Sequence, residues 1–128
     1  MNAVTDPVTV FTVSTFPVAA RATGSTGVCS PALQRAWRPD GAYVQLAEER
    51  DGASLKSMLS RVGPRPKHFV LSARGQGGLC TPADSGELTF KQRGRAFYVF
   101  YGIGRDASKV VRARAAALLD NMKIAARR

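Results

Sequence analysis

Glu87-Leu-Thr-Phe-Lys-Gln-Arg-Gly-Arg-Ala-Phe-Tyr-Val-Phe-Tyr-Gly-Ile103 is two strand-like runs folded about a turn. Gln92-Arg-Gly-Arg95 supplies the turn, because a glycine among polar residues between two apolar runs marks a tight reversal. Phe97-Tyr-Val-Phe-Tyr101 is apolar on both faces, which predicts a central strand covered on at least one side. Gly104-Arg-Asp-Ala-Ser108 then hands the chain to a helix over Lys109 to Met122, whose first turn Asp106 or Ser108 can cap. Val111, Ala115, Leu118 and Met122 share a narrow arc of that helix with Leu119 at its edge. Lys109, Arg112, Ala116 and Asp120 fall opposite, toward solvent. The expected fold class is α+β: an antiparallel sheet with helices on one face, including a C-terminal amphipathic helix packed there. Leu88, Phe90, Phe97, Val99, Val111, Leu118 and Met122 are its expected core.

Working back toward the N-terminus, His68-Phe-Val-Leu71 predicts a further strand, followed by a glycine-rich loop over Arg74 to Gly86. Asp51 to Val62 predicts a short helix, with Leu55, Met58, Leu59 and Val62 at i, i+3, i+4 and i+7. Gly63-Pro-Arg-Pro66 ends it, since proline lacks the backbone donor and restricts its neighbour. Gly41 to Glu49 predicts a strand entered from the Pro39-Asp-Gly41 turn, and Asp6 to Pro17 a first strand with a bulge. Ala32 to Trp37 can form one helical turn. No repeat or linker divides the 128 residues, so a single domain over 1–128 is expected.

Lys and Arg total 19 against 9 Asp and Glu, a formal net charge of +10. That field attracts nucleic acid, anionic headgroups, acidic polysaccharide or an acidic protein, or simply keeps the chain soluble. No apolar run reaches the roughly 18 residues of a membrane span. Val8 to Ala20 imitates a signal core and Ala20-Arg-Ala22 a cleavage site, but Asp6 stands where a positive charge belongs, and a strand fits better. An exported protein is therefore expected to begin further upstream. The cysteines, Cys29 and Cys80, both sit in turn-like contexts and make neither a four-ligand zinc set nor a CxxC pair. A disulfide and two reduced thiols are both compatible with that spacing.

Three segments carry a resemblance. Phe90-Lys-Gln-Arg-Gly-Arg-Ala-Phe-Tyr-Val-Phe100, Gly102-Ile-Gly-Arg-Asp-Ala-Ser108 and Ala116-Ala-Leu-Leu-Asp-Asn-Met-Lys-Ile124 resemble a pattern of poorly characterised actinobacterial proteins, exported or membrane-linked. In that family a "FxxxGRxFxVxxxxG" hairpin precedes a helix ending in "xxLDSLxx". Arg65-Pro-Lys-His-Phe69 is similar to its "RPxxF" approach to a strand, and Phe16-Pro-Val with Cys29 to its "WP…C" segment. Asn121 departs from the usual Ser, and this chain shows no membrane anchor. The resemblance implies an extracytoplasmic α+β domain, distantly like the PsbP-type or lipoprotein sandwiches, with a disulfide between Cys29 and Cys80. It implies no catalytic residues.

The remaining constellations are weak. Gly102-Ile-Gly-Arg-Asp-Ala107 matches G-x-G-x-x-A between strand and helix, where phosphate would rest on the helix N-terminus. Asp106 would repel that phosphate, the preceding strand belongs to an antiparallel hairpin, and the chain after Gly104 is too short for a mononucleotide half. Gly75-Gln-Gly-Gly78 lacks the Lys-Ser/Thr of a phosphate loop. His68 has no nucleophile or carboxylate near it in sequence, and Glu48 and Glu49 point to opposite faces of a strand. No enzyme and no cofactor are expected.

The reading that remains is a non-enzymatic extracytoplasmic binding or interaction module with a basic surface for an acidic partner. Arg65, Lys67, Arg93 and Arg95 are its expected contacts. The runner-up is a cytosolic nucleic-acid-binding protein, gripping with Lys91, Arg93 and Arg95 beside Phe97, Tyr98 and Tyr101. Arg105, Lys109, Arg112 and Arg114 would extend that patch along the C-terminal helix.

Overall fold

A computed structural model describes residues 8–15, 38–71, 77–78, 84–104 and 106–126. Cys29, Cys80 and Arg105, with the Ala32–Trp37 turn, lie outside the described residues. The elements are β1 (Val8–Ser14), β2 (Ala42–Glu49), α1 (Gly52–Arg61), β3 (Gly77–Gly78), β4 (Asp84–Gln92), β5 (Arg95–Ile103) and α2 (Lys109–Asn121). The strands form one antiparallel sheet in the order β1-β2-β5-β4-β3. The fold is α+β, with the C-terminal helix on the sheet as expected.

Register explains the core. Val44 pairs with Tyr101, Leu46 with Val99 and Glu48 with Phe97, while Leu88 and Phe90 oppose Val99 and Phe97 from the other side. One face of the sheet therefore presents Val44, Leu46, Phe90, Phe97, Val99 and Tyr101, and Leu119 and Phe69 close over it. Phe90 stacks on Phe97 at 5.1 Å, and Phe69 meets Phe90 edge-on at 5.7 Å. Such offset and edge contacts satisfy the ring quadrupoles while excluding water.

Three expectations are corrected. The two helices do not share a face: α1 sets Met58 and Val62 against Ala96 and Tyr98, on the side opposite α2. The central strands are thereby covered on both sides, and all of β2 is buried. The 68–71 segment is not a strand, because the amide of Phe69 is spent on Asp120 Oδ1 at 2.6 Å, leaving Val70 exposed. This also moves Asp120 from the expected solvent face to a structural one. Finally, α2 buries Leu119 fully, while Val111, Leu118 and Met122 are only half-buried. The contact arc runs through Ala115, Leu119 and Met122, with Val111 and Leu118 displaced toward β1.

Caps and turns follow local chemistry. Asp51 accepts from the amide of Ser54 at 3.2 Å to start α1, and Ser108 accepts from that of Val111 at 3.1 Å to start α2. Gly104 is required by a close approach, since a Cβ there would lie 1.9 Å from the carbonyl oxygen of Pro39. The second glycine of the G-x-G-x-x-A match therefore seats a strand end on the Pro39 turn. No helix among the described residues is long and apolar enough to cross a membrane.

Candidate functional site

The β4–β5 hairpin closes through Arg93 (φ 53°) and Gly94 (φ 74°), both left-handed. Two such residues in succession match the right-handed twist of the flanking strands, the reason Asn-Gly is the usual choice. Arginine is an expensive choice here: its Cβ crowds the backbone at positive φ by about 1–2 kcal/mol. Arg93 is exposed and makes no hydrogen bond or ion pair with any described residue.

Around this turn the chain gathers three other segments. Arg65 donates from Nη2 to the carbonyls of Leu119, Asp120 and Met122 at 3.0, 3.3 and 2.7 Å, and from Nη1 to Gln92 Oε1 at 3.3 Å. A guanidinium under the last carbonyls of α2 satisfies otherwise orphaned acceptors and meets the negative end of the helix dipole. Lys91 caps α1 in the same way, donating to the Leu59 carbonyl at 3.1 Å. Arg95 clasps Glu48 through Nε and Nη2 at 3.0 and 2.9 Å, donates to the Ala125 carbonyl at 2.6 Å, and lies 5.2 Å from the centre of the Phe97 ring. The side chain of Glu48 is wholly buried, and Arg50 approaches it at 3.5 Å. The Arg95 guanidinium, already always cationic, is driven further up by its hydrogen bonds to Glu48.

Arg65, Lys91 and Arg95, expected as ligand contacts, thus spend their donors inside the molecule. Arg112 does too, donating to the Gly104 carbonyl at 3.3 Å. Lys109 is exposed but stands with Arg112 at the far end of β5, roughly 26 Å from the turn, so neither extends a patch there. Arg93 remains exposed at the turn, and Lys67 is exposed two residues after Arg65, which bonds Gln92 beside that turn. Lys123 joins them; it directly follows the helix end held by Arg65, and its position one residue past an apolar periodic run was the available signal. Between the turn and the C-terminal segment lies a cavity of about 360 Å³, lined by Gln92, Arg93, Gly94, Arg95, Ile124 and Ala126. Its volume falls in the range of small-ligand sites.

His68 is on the surface with Nδ1 at 3.4 Å from Asp120 Oδ2. Among the described residues no three His, Cys, Asp or Glu side chains gather as metal ligands. On the other sheet face Tyr98 donates to Glu49 Oε1 at 3.2 Å, and Gln45 donates to Thr9 at 2.9 Å. Phe97 and Tyr101 are fully buried, while Tyr98 and Phe100 are half-buried and stack on one another with Tyr98 packed against α1, so the ring nearest the basic turn, Phe97, offers it no open face. No known protein family, curated protein or solved structure matches this chain.

Proposed function

We propose that this chain is a non-enzymatic binding module whose hairpin end holds an acidic partner, with Arg93 as the leading contact and Lys67 and Lys123 beside it. The observation that carries this is the conformation of Arg93: a cation without a described partner, in a backbone region its side chain disfavours, at the mouth of a 360 Å³ cavity. Strained residues persist where a ligand repays the strain. Arg65, Lys91 and Arg95 are already bound to carbonyls or to Glu48, so they frame the site and leave Arg93, with Lys67 and Lys123, to supply the free charge. An acidic polypeptide suits it better than nucleic acid, because base stacking needs exposed aromatic faces.

The test is anisotropy titration of fluorescein-labelled polyglutamate, and of single-stranded DNA of equal charge, from 50 to 300 mM salt. Polyglutamate should bind more tightly, and replacing Arg93, Lys67 and Lys123 together by Gln should weaken it at least tenfold. Tighter DNA binding, resistant to the same replacement, would assign the basic field to nucleic acid. The compartment proposed is extracytoplasmic, supported by the resemblance of the hairpin and helix segments. Trapping thiols at lysis checks it: Cys29 and Cys80 alkylated only after reduction would agree with it, and free thiols would not.

A further inference from the structure

The two outer edges of the sheet are treated differently. Along β4, the amide of Lys91 donates to Gly63 at 2.9 Å and its carbonyl accepts from Arg65 at 3.2 Å, while Gly77 and Gly78 pair with Gly86 and Ser85. Both ends of that edge are occupied. β1 has no strand neighbour on its outer side among the described residues. Its sequence, Val8-Thr-Val-Phe-Thr-Val-Ser14, has neither charge nor proline, the usual guards of an open edge. Only the register shift between Thr9 and Phe11 interrupts it. Val8, Val10 and Val13 are 43%, 44% and 42% exposed.

Beside this edge, α2 leaves a gap. Val13, Val44, Val111, Ala115 and Leu118 line an apolar cavity of about 140 Å³, with Arg114 at its rim. An apolar space of about 150 Å³ accepts a benzene-sized group. It is thus sized for one leucine, isoleucine or phenylalanine side chain. Arg114 is exposed and makes no hydrogen bond or ion pair with a described residue. The helix rotation that buries Leu119 is what turns Val111 and Leu118 toward this gap.

We propose that β1 and the β1–α2 gap form a strand-addition site for an extended segment of another protein, with an aliphatic or aromatic side chain in the cavity and a carboxylate on Arg114. Strand addition supplies main-chain hydrogen bonds for affinity and uses alternate side chains for specificity. The occupant is acidic because the rim charge is positive and has no partner among the described residues. A second copy of this chain is disfavoured as occupant, since it brings its own net charge of +10. The cavity lies level with Tyr101, roughly 20 Å along β5 from the hairpin end, and does not depend on it.

The probe is a labelled eight-residue peptide alternating aliphatic and acidic residues, with a second version N-methylated at alternate amides. The unmodified peptide should bind, and the N-methylated one at least tenfold more weakly. Val13→Lys should cost tenfold and Arg114→Glu about fivefold, while Lys56→Asn, on α1, should change nothing. Hydrogen exchange on the unaltered protein keeps the test independent of variant folding: saturating peptide should slow exchange across β1. Equal binding of the N-methylated peptide, or unchanged exchange in β1, would overturn the proposal. Concentration-dependent dimerisation that the peptide does not disrupt would overturn it in favour of a second copy. Loss of polyglutamate binding at the hairpin end would leave these results untouched.

Discussion

Glu48 and Arg95 show how a charge can serve packing instead of recognition. The carboxylate is fully buried, and one guanidinium donates to both of its oxygens, at 3.0 and 2.9 Å. Removing Arg95 would take two charge-assisted hydrogen bonds from a buried carboxylate, and Arg50 at 3.5 Å is a distant and half-exposed substitute for them. Arg95→Met should therefore lower stability by about 3 kcal/mol, read from urea denaturation midpoints. A loss below about 1 kcal/mol would mean that Glu48 finds water or another donor. Gly104 is constrained by space alone. Gly104→Ala drives a methyl group into the Pro39 carbonyl and should cost about 2–3 kcal/mol, checked by the same assay. Arg93 differs from both: its backbone is strained and its side chain is unpaired among the described residues, so none of them repays its choice.

The hairpin and α2 are legible in the sequence because their signals are local: a Gly-containing turn between apolar runs, and Ser108 before an apolar stripe. Leu119 as the deepest helix residue is not, since Arg65 and Asp120 set the helix rotation through contacts more than fifty residues apart. The same distance hides the fate of the cations. Arg95 is a surface charge in sequence and an internal clasp in the structure, a difference decided by the β2–β5 register. Strand-like apolar spacing at 68–71 was overruled by one carboxylate. The polar face of β2 and β5 carries its own prediction. Burial raises the hydroxyl pKa of Tyr43, and burial together with the negative charge of Glu49 raises that of Tyr98. A folded-state pKa above the unfolded value of about 10 contributes stability present below pH 10 and lost as pH rises further. Stability should fall as pH rises above about 10, and Tyr98→Phe should flatten part of that fall in denaturation curves taken at each pH. Equal slopes would show that Tyr98 ionises as freely in the fold as outside it.

Across the molecule, part of the charge of each sign is spent internally and the rest is left on the surface. Glu48 and Glu49 are withdrawn into the sheet, Asp51 is spent on a helix cap and Asp120 on an amide, whereas Lys56, Lys67, Arg93, Lys109, Arg114 and Lys123 stay on the surface. The exposed field is cationic, and two places in it, the hairpin end and the β1 edge, hold a cation beside a cavity. Such a field speeds encounter with an acidic partner and is screened by salt within about 10 Å at 0.1 M. Contacts at a defined site should retain more binding at high salt than the diffuse field does. The central claim, that Arg93 is kept for a ligand at a cost to the fold, is tested by comparing Arg93→Asn with Lys56→Asn, which removes the same charge elsewhere. Both variants should be measured for urea stability and for polyglutamate affinity at 150 mM salt. Asparagine suits the left-handed turn, so Arg93→Asn should gain about 0.5–1 kcal/mol of stability and lose at least fivefold in affinity, with Lys56→Asn near the parent in both. A stabilised Arg93→Asn protein that binds polyglutamate as well as the Lys56→Asn protein would contradict the account.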